Sequence, residues 1–156
     1  EDIYKDLGVE LTDRTTAYAE YDVQTTTLDT GYHLLYINDK IDPEDVLIQK
    51  LSQGGELYGL YINETMMVSF VSHWKNGQAS WSVLHNCQEG VEHLVAKGDL
   101  PEDFENLRIE KLEMQKGVTD VDHIFEIPNE LFSSRVGFIY YRPKDSIENY
   151  QILERI

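Results

Sequence analysis

One short stretch contains three side chains of types that can bind a metal or take part in catalysis: His85, Cys87 and His93 lie within nine residues of one another. Cysteine and histidine are common zinc ligands, and a histidine beside a cysteine can also activate the thiol as a nucleophile. A structural zinc site needs four ligands and a catalytic one needs three with an open position, and this spacing matches no established pattern. The sequence also identifies no third group that would orient a catalytic histidine. It therefore predicts no metal site, no cofactor and no catalytic residue here, and favours Cys87 as a small buried apolar residue.

A second candidate is the pair Asp120 and Asp122, which could act as paired carboxylates or as metal ligands. Asp-rich turns of this kind are common without any ligand, so we interpret the pair as part of a turn. The chain also lacks a Gly-rich phosphate loop, a Cys-x-x-Cys pair, a His-Glu-x-x-His helix and a Gly-x-Ser-x-Gly elbow. These absences remove the motif-defined nucleotide, zinc and hydrolase classes. The sequence favours a non-enzymatic role over an enzymatic one.

Charge is the most informative feature of the composition. The 156 residues include 29 Asp and Glu against 13 Lys and Arg, which gives a formal charge of −16. Such an acidic chain repels phosphate backbones and anionic lipids, so direct nucleic-acid and membrane binding are both disfavoured. The single cysteine cannot form an internal disulfide, and no apolar run reaches the roughly 18 residues of a membrane helix. Since no leader is visible from Glu1 onward, we expect a cytoplasmic protein; a leader already removed would leave no trace.

The acids are concentrated between residues 89 and 120, a segment that contains nine acidic and four basic residues. A solvated helix face explains any one of them, but self-repulsion at this net charge favours a partner of opposite sign. Adaptation to high salt would also produce an acidic surface, and that alternative stays open. The predicted partner-binding residues are Glu89, Glu92, Asp99, Glu102, Asp103, Glu105, Glu110 and Glu113.

The element pattern predicts an α+β fold, a mainly antiparallel sheet with helices largely on one face, in a single domain over residues 1–156. Its clearest signal is Asn76-Gly77, which favours a two-residue hairpin turn. The register then places Trp74 opposite Ala79, Ser72 opposite Trp81, Phe70 opposite Val83 and Val68 opposite His85. The face with Val68, Phe70, Trp74, Trp81 and Val83 is predicted to lie against the core.

The rest of the chain gives weaker signals. Residues 1–30 are predicted to be a loosely structured arm with at most one strand. Strands are predicted at 32–37, 57–62, 92–96, 138–141 and 150–153, and helices from Asp42 to Gly54, from Pro101 to Lys116, and from Pro128 to about Gly137.

From the hairpin onward, over residues 66 to 140, the chain resembles a set of small bacterial proteins that have no assigned activity. The resemblance rests on five groups of residues: Trp81 to His85; His93-Leu94; Gly98 to Pro101 with Phe104; Val121 to Pro128 with Leu131; and Gly137-Phe138. In size and acidity the chain is also similar to immunity proteins, which bind and block a toxin domain made by the same cell. This second resemblance has no motif, and it implies only that the acids of 89 to 120 would face a basic toxin or nuclease.

Three functions follow as hypotheses. The first is an interaction protein without enzymatic activity, an immunity protein or inhibitor that covers a basic partner. The second is a small enzyme or ligand-binding domain with a pocket near His85, Cys87 and His93. The third is a structural or regulatory subunit whose acidity is incidental. Neither the partner's identity nor the oligomeric state follows from the residues.

Overall fold

The computed structural model describes residues 2–38 and 45–156. The first elements are helix α1 (Asp2–Asp6), strands β1 (Val9–Thr16), β2 (Val23–Thr27) and β3 (His33–Ile37), and helix α2 (Asp45–Leu51). The central elements are strands β4 (Glu56–Asn63), β5 (Val68–Lys75), β6 (Gln78–Asn86) and β7 (Val95–Gly98), with a 3₁₀ helix (Cys87–Glu89) between β6 and β7. Helices α3 (Phe104–Gln115) and α4 (Glu126–Val136), a 3₁₀ helix (Pro143–Asp145) and strand β8 (Tyr150–Arg155) complete the chain.

Within residues 2–38 and 45–156, eight strands form two antiparallel sheets of four, which confirms the predicted α+β class and the antiparallel pairing. One sheet has the order β1-β8-β2-β3 and the other β4-β5-β6-β7. The chain forms two compact units, of which the first comprises Glu1–Leu51 and Val136–Ile156 and the second Ser52–Arg135. Each sheet lies within one unit.

The prediction of a loosely structured arm over residues 1–30 is wrong, because this segment supplies two strands of the first sheet. Val9 on β1 and Val23 on β2 are each 1% exposed and pack with Leu153 of β8. Both strands pair with β8, more than a hundred residues later in the chain. The threonine-rich segments, which lacked a clear period, are suited to strands because threonine is β-branched.

In the second unit, the Asn76-Gly77 turn is confirmed, with positive φ at both residues, but the register beyond it is wrong. Trp74 lies opposite Ala79 as predicted, after which a β-bulge leaves Ser80 without a partner on β5. From there the pairs are His73 with Trp81, Val71 with Val83, and Ser69 with His85. Since one extra residue reverses the alternation, Trp81 and Val83 share their face with Ser69 and Val71, not with Phe70.

Three contacts show that residues 122–135 cover this face of the second sheet, as the prediction of helices on one face requires. The Ser69 hydroxyl donates to the Phe125 carbonyl at 2.8 Å, and His85 contacts Asp122. At the other end, the Arg135 guanidinium lies 5.8 Å from the centre of the Trp81 ring. The core therefore includes Trp81, Val83 and Val71, together with Ile127 and Leu131 of α4.

Other element predictions hold in part. The strands predicted at 32–37, 57–62 and 150–153, and the helix from Pro101, are confirmed within a few residues. Helix α4 begins at Glu126, two residues before Pro128, because proline is tolerated in a first helical turn. Strand β7 begins at Val95 and not at residue 92, since His93 is used in a turn with its N–H bonded to the Gly90 carbonyl. The strand predicted at 138–141 is absent from these described residues: Tyr140 and Tyr141 lie in a turn, and Arg142 donates its N–H to the Ile139 carbonyl.

Two further points concern the limits of the described chain. The predicted helix start at Asp42 to Glu44 lies outside the described residues, and α2 is described from Asp45 to Leu51. No helix in the described part of the chain has the length and apolar character that a membrane crossing requires.

Candidate functional site

The eight predicted partner-binding acids are all exposed in the second unit. Glu89 ends a 3₁₀ helix and Glu92 follows it, so both precede β7, whereas Asp99 follows that strand. Glu102 and Asp103 lead into α3, and Glu105, Glu110 and Glu113 lie on it. Six of the eight acids therefore lie between Asp99 and Glu113, after the end of β7. The other two, Glu89 and Glu92, lie before its start.

Helix α3 turns one face inward and the other to solvent. Phe104, Lys111 and Gln115 are buried, at positions separated by whole turns. The outward face carries Glu105, Ile109 and Glu113 at intervals of four residues, so Ile109 lies between two glutamates. We call this surface the α3 acidic face, defined by Glu102, Asp103, Glu105, Ile109, Glu110, Glu113 and Met114.

Local ion pairs neutralise only part of this charge. Asp103 is bonded to Arg135, Glu105 to Arg108, and Glu113 to Lys116. The hydrogen bond from the Arg135 guanidinium lowers the pKa of Asp103, and that from Arg108 lowers the pKa of Glu105. These carboxylates are therefore ionised at neutral pH. No ion pair within the described ranges involves the remaining five acids, Glu89, Glu92, Asp99, Glu102 and Glu110.

Lys111 shows why the bases of this region do not cancel its acids. Its side chain is buried, and its ammonium donates to Glu126 at 2.7 Å and reaches Glu130 at 2.5 Å. Burial opposes the charged form, but the hydrogen bonds and charges of the two glutamates outweigh it and raise the pKa of Lys111. This cation is thus committed inside the fold, between α3 and α4.

A second site lies where β6 ends. His85 is 0% exposed, its Nδ1 lies 2.6 Å from the His93 carbonyl oxygen, and its Nε2 lies 2.8 Å from Asp122 Oδ2. A carbonyl only accepts hydrogen bonds, so Nδ1 carries a proton. Nε2 faces the Asp122 carboxylate, so both ring nitrogens of His85 make buried polar contacts.

Asp122, which the sequence suggested only as a partner of Asp120 in a turn, instead contacts His85. It precedes α4, and its Oδ1 accepts the Phe125 N–H at 3.0 Å while Oδ2 contacts His85. Spacing along the chain gives no sign of this contact, since 37 residues separate the two side chains. Asp120, its predicted companion, is exposed and outside the cluster.

Gln115, buried at the end of α3, fixes the segment that carries Asp122. Its amide nitrogen donates to the carbonyls of Val118 and Val121 at 3.0 and 2.9 Å, and its oxygen accepts the His123 N–H at 2.8 Å. One buried amide thus bonds to both neighbours of Asp122 in the chain. We interpret Gln115 as a positioning residue for that carboxylate.

Cys87 lies beside the same carboxylate. Its Sγ, the His85 nitrogen and an Asp122 oxygen all lie within 4.8 Å of one another. Burial, together with the charge of Asp122 and a hydrogen bond to it, raises the pKa of the Cys87 thiol. The thiol is therefore protonated at neutral pH, whereas a nucleophilic cysteine needs a lowered pKa.

The third member of the original stretch, His93, uses its ring differently. His93 Nδ1 accepts the Asn86 N–H at 2.9 Å, so that nitrogen is not available as a base. The structure thus brings His85 and Cys87 together with Asp122, and it uses His93 mainly to hold the loop and the His85 ring.

Comparisons with known proteins give no relative from which a function could be transferred. The chain matches no protein-family model, no curated protein and no solved structure. What the structure itself defines is the class, an α+β protein with two four-stranded antiparallel sheets. The resemblances to immunity proteins and to other bacterial proteins therefore stay predictions.

Proposed function

We propose that this protein is a non-enzymatic interaction module that binds a basic protein through the α3 acidic face and its neighbouring acids. The proposed partner is a toxin or nuclease domain, which the protein would block as an immunity protein or inhibitor. The observation that carries the proposal is that eight acids between Glu89 and Glu113 are exposed, and that five of them form no ion pair with any described residue. The basic surface of a nuclease, built to attract phosphate, is complementary to such a face.

The composition of the α3 acidic face also favours a protein partner over a small cation. Ile109 and Met114 are 50% and 43% exposed on the same helix as three of the glutamates. Protein interfaces commonly combine an apolar centre, which excludes water, with a charged or polar rim. A solvated helix face that serves only solubility does not need an exposed isoleucine between two glutamates.

The enzyme alternative near His85, Cys87 and His93 has less support. His85 has both ring nitrogens bonded, His93 has Nδ1 bonded, and the pKa of the Cys87 thiol is raised. A cavity of about 480 Å³ lies in the first unit, where Arg14, Tyr21 and Glu154 are among its lining residues. The stretch with His85, Cys87 and His93 therefore offers neither a free base nor an activated nucleophile, and the cavity of the first unit does not include these residues.

The proposal is tested with the full chain as bait for affinity purification from its native host, followed by stopped-flow binding to the recovered basic protein. Steering by charge should raise the association rate above the roughly 10⁵ to 10⁶ M⁻¹s⁻¹ of unsteered docking, and added salt should reduce the excess. The charge variant combines Glu92→Gln, Glu102→Gln and Glu110→Gln, because no described residue pairs with these acids. We expect it to slow association several-fold at low salt.

A matched control removes the same net charge from the first unit with Asp13→Asn, Asp29→Asn and Glu148→Gln, which are exposed as well. This control should slow association much less than the charge variant. Ile109→Ala should mainly speed dissociation, whereas Val46→Ala, at an exposed position of α2, should leave it unchanged. Association that responds neither to salt nor to the charge variant would refute the proposal. Recovery of no basic partner would favour the enzyme or ligand-binding alternative.

A further inference from the structure

Three side chains of different chemistry converge at the end of β6. A ring nitrogen of His85, Cys87 Sγ and an Asp122 carboxylate oxygen lie within 4.8 Å of one another, and His85 Nε2 is the nitrogen that contacts Asp122, at 2.8 Å. Cys87 is half-buried, whereas the His85 ring is fully buried. The cluster is thus largely shielded by the fold, with its sulfur on the more accessible side.

Backbone groups orient two of these donors. His85 Nδ1 donates to the His93 carbonyl at 2.6 Å, which directs Nε2 toward the cluster, and Asp122 Oδ1 accepts the Phe125 N–H at 3.0 Å. Metal-binding histidines nearly always donate their other N–H to a carbonyl or carboxylate, and metal-binding carboxylates are held by similar bonds. The surroundings of this cluster therefore have the arrangement that a metal site requires.

We propose that His85 Nε2, Cys87 Sγ and Asp122 bind one Zn²⁺ ion, with a water molecule as the fourth ligand. Imidazole, thiolate and carboxylate are the three ligand types that zinc accepts, whereas Mg²⁺ and Ca²⁺ prefer oxygen alone. The sequence predicted no metal because the count and spacing of His85, Cys87 and His93 were wrong, and because no local pattern groups Asp122 with His85 and Cys87. With Asp122 in the set, the number of protein ligands reaches three, as in zinc sites that keep an open position.

The charges of the ligands also suit zinc. As ligands, a neutral imidazole, a thiolate and a carboxylate together carry two negative charges, which balance the two positive charges of the ion. The zinc-bound site would be neutral, so it would avoid the desolvation penalty of an uncompensated charge.

The required movements are small. Tetrahedral zinc with bonds of about 2.0 to 2.1 Å to nitrogen and oxygen and about 2.3 Å to sulfur separates nitrogen and oxygen ligands by roughly 3.3 Å, and sulfur from either by roughly 3.6 Å. The His85 and Asp122 atoms, now 2.8 Å apart, would separate by about half an ångström. The Cys87 Sγ atom now lies within 4.8 Å of the other two ligand atoms, so the half-buried side chain would move toward them by at most about 1.2 Å.

The test uses the full-length, tag-free protein, stripped with a chelator and titrated with Co²⁺ as a spectroscopic substitute for Zn²⁺. One equivalent of Co²⁺ should produce thiolate-to-cobalt charge-transfer absorption, and Zn²⁺ should abolish it by displacement. In weak buffer, Zn²⁺ should also release protons, because a thiol must lose its proton to become a ligand.

Variants decide whether these three side chains are the ligands. Cys87→Ser should remove the charge-transfer absorption. Asp122→Asn should weaken zinc binding by at least about 100-fold, because loss of a residue that only hydrogen-bonds to a ligand already costs up to about 100-fold and Asp122 is proposed to bind the ion directly. The matched control Asp120→Asn, two residues away and exposed, should bind zinc like the wild type. Circular dichroism verifies that each variant is folded. Because Cys87 is partly exposed, Cys87→Ser should disturb the fold less than Asp122→Asn.

Cobalt that binds without charge-transfer absorption, or absorption that survives Cys87→Ser, would overturn the proposal, because the ion would then be held elsewhere, such as at the surface acids. Failure of the folded wild type to bind one equivalent would overturn it as well. These outcomes do not bear on the α3 acidic face, whose test measures association rates with a protein partner.

Discussion

Replacing Gly98 with alanine tests the β-bulge that fixes the register of the second sheet. Gly98 lies opposite Trp81 with φ of +85°, and a Cβ at this position would lie 2.1 Å from the Ser80 carbonyl oxygen and 2.9 Å from the Trp81 Cα. Ser80 is the extra residue of the bulge, and its carbonyl accepts the Asp99 N–H at 2.9 Å. Only glycine allows β7 to approach the bulge this closely.

The expected magnitude follows from comparison with Gly117, which follows α3 and has a similar φ of +70°, but whose added Cβ would have no atom of the described residues within 4 Å. Positive φ costs a residue with a Cβ about 1 to 2 kcal/mol, partly offset by about 0.4 to 1 kcal/mol from reduced freedom in the unfolded chain. Gly117→Ala should therefore destabilise by about 1 kcal/mol. Gly98→Ala adds displacement of the Ser80 carbonyl and loss of its hydrogen bond, for a total of about 3 kcal/mol.

Urea unfolding followed by tryptophan fluorescence suits this comparison. The chain has two tryptophans, Trp74 and Trp81, which lie in the hairpin of the second unit, and the two glycines lie in the same unit. The difference in unfolding free energy between the variants should be about 2 kcal/mol, with unchanged dependence on urea. Equal destabilisation by the two substitutions would show that the Ser80 carbonyl does not face Gly98, and the observed register would have to be rejected.

Two further predictions concern buried side chains of the second unit. Trp81→Ala should lower the free energy of unfolding by about 3 to 5 kcal/mol, because the indole is 6% exposed; a change below about 1 kcal/mol in urea unfolding would contradict its place in the core. The raised pKa of Lys111 means that the folded state holds this proton more tightly than the unfolded state, so its contribution to stability is complete below the ordinary value of 10.5 and is lost as pH rises through the folded pKa. Unfolding measured across this alkaline range should show the loss in wild type but not in Lys111→Met, and Lys75→Met, at an exposed position, should behave like wild type.

Local chemistry made the hairpin turn predictable, but not the register beyond it. Asn76-Gly77 determines the turn because both residues adopt positive φ, which these two residue types accept readily. The bulge at Ser80 has no comparable signal, because a serine in a strand is not distinctive. The prediction extended the register from the turn without a bulge and so placed Phe70 beside Val83 on the inward face, whereas Ser69 is the residue that lies buried on that face.

The polar residues buried in the second unit explain why its site could not be predicted from the sequence. Ser69 is bonded to the Phe125 carbonyl, His85 to Asp122, and Lys111 to glutamates of α4. Their residue types alone predict that such side chains lie at the surface, because burial of an unpaired polar group costs free energy. Their partners, 15 to 56 residues away, remove that cost, and no local pattern reveals them.

These same contacts connect the fold to the proposed zinc ligands. Three of them tie the segment 122–130 to β5, β6 and α3, and Gln115 bonds to both chain neighbours of Asp122. A slip of this segment by one residue would leave several buried polar groups without partners, at about 1 to 3 kcal/mol each. The register that satisfies Ser69 and Lys111 is therefore also the one that holds the Asp122 carboxylate against His85 and Cys87. Exposed acids need no such matching, so the sequence alone could predict their exposure, whereas the cluster of His85, Cys87 and Asp122 required the folded chain.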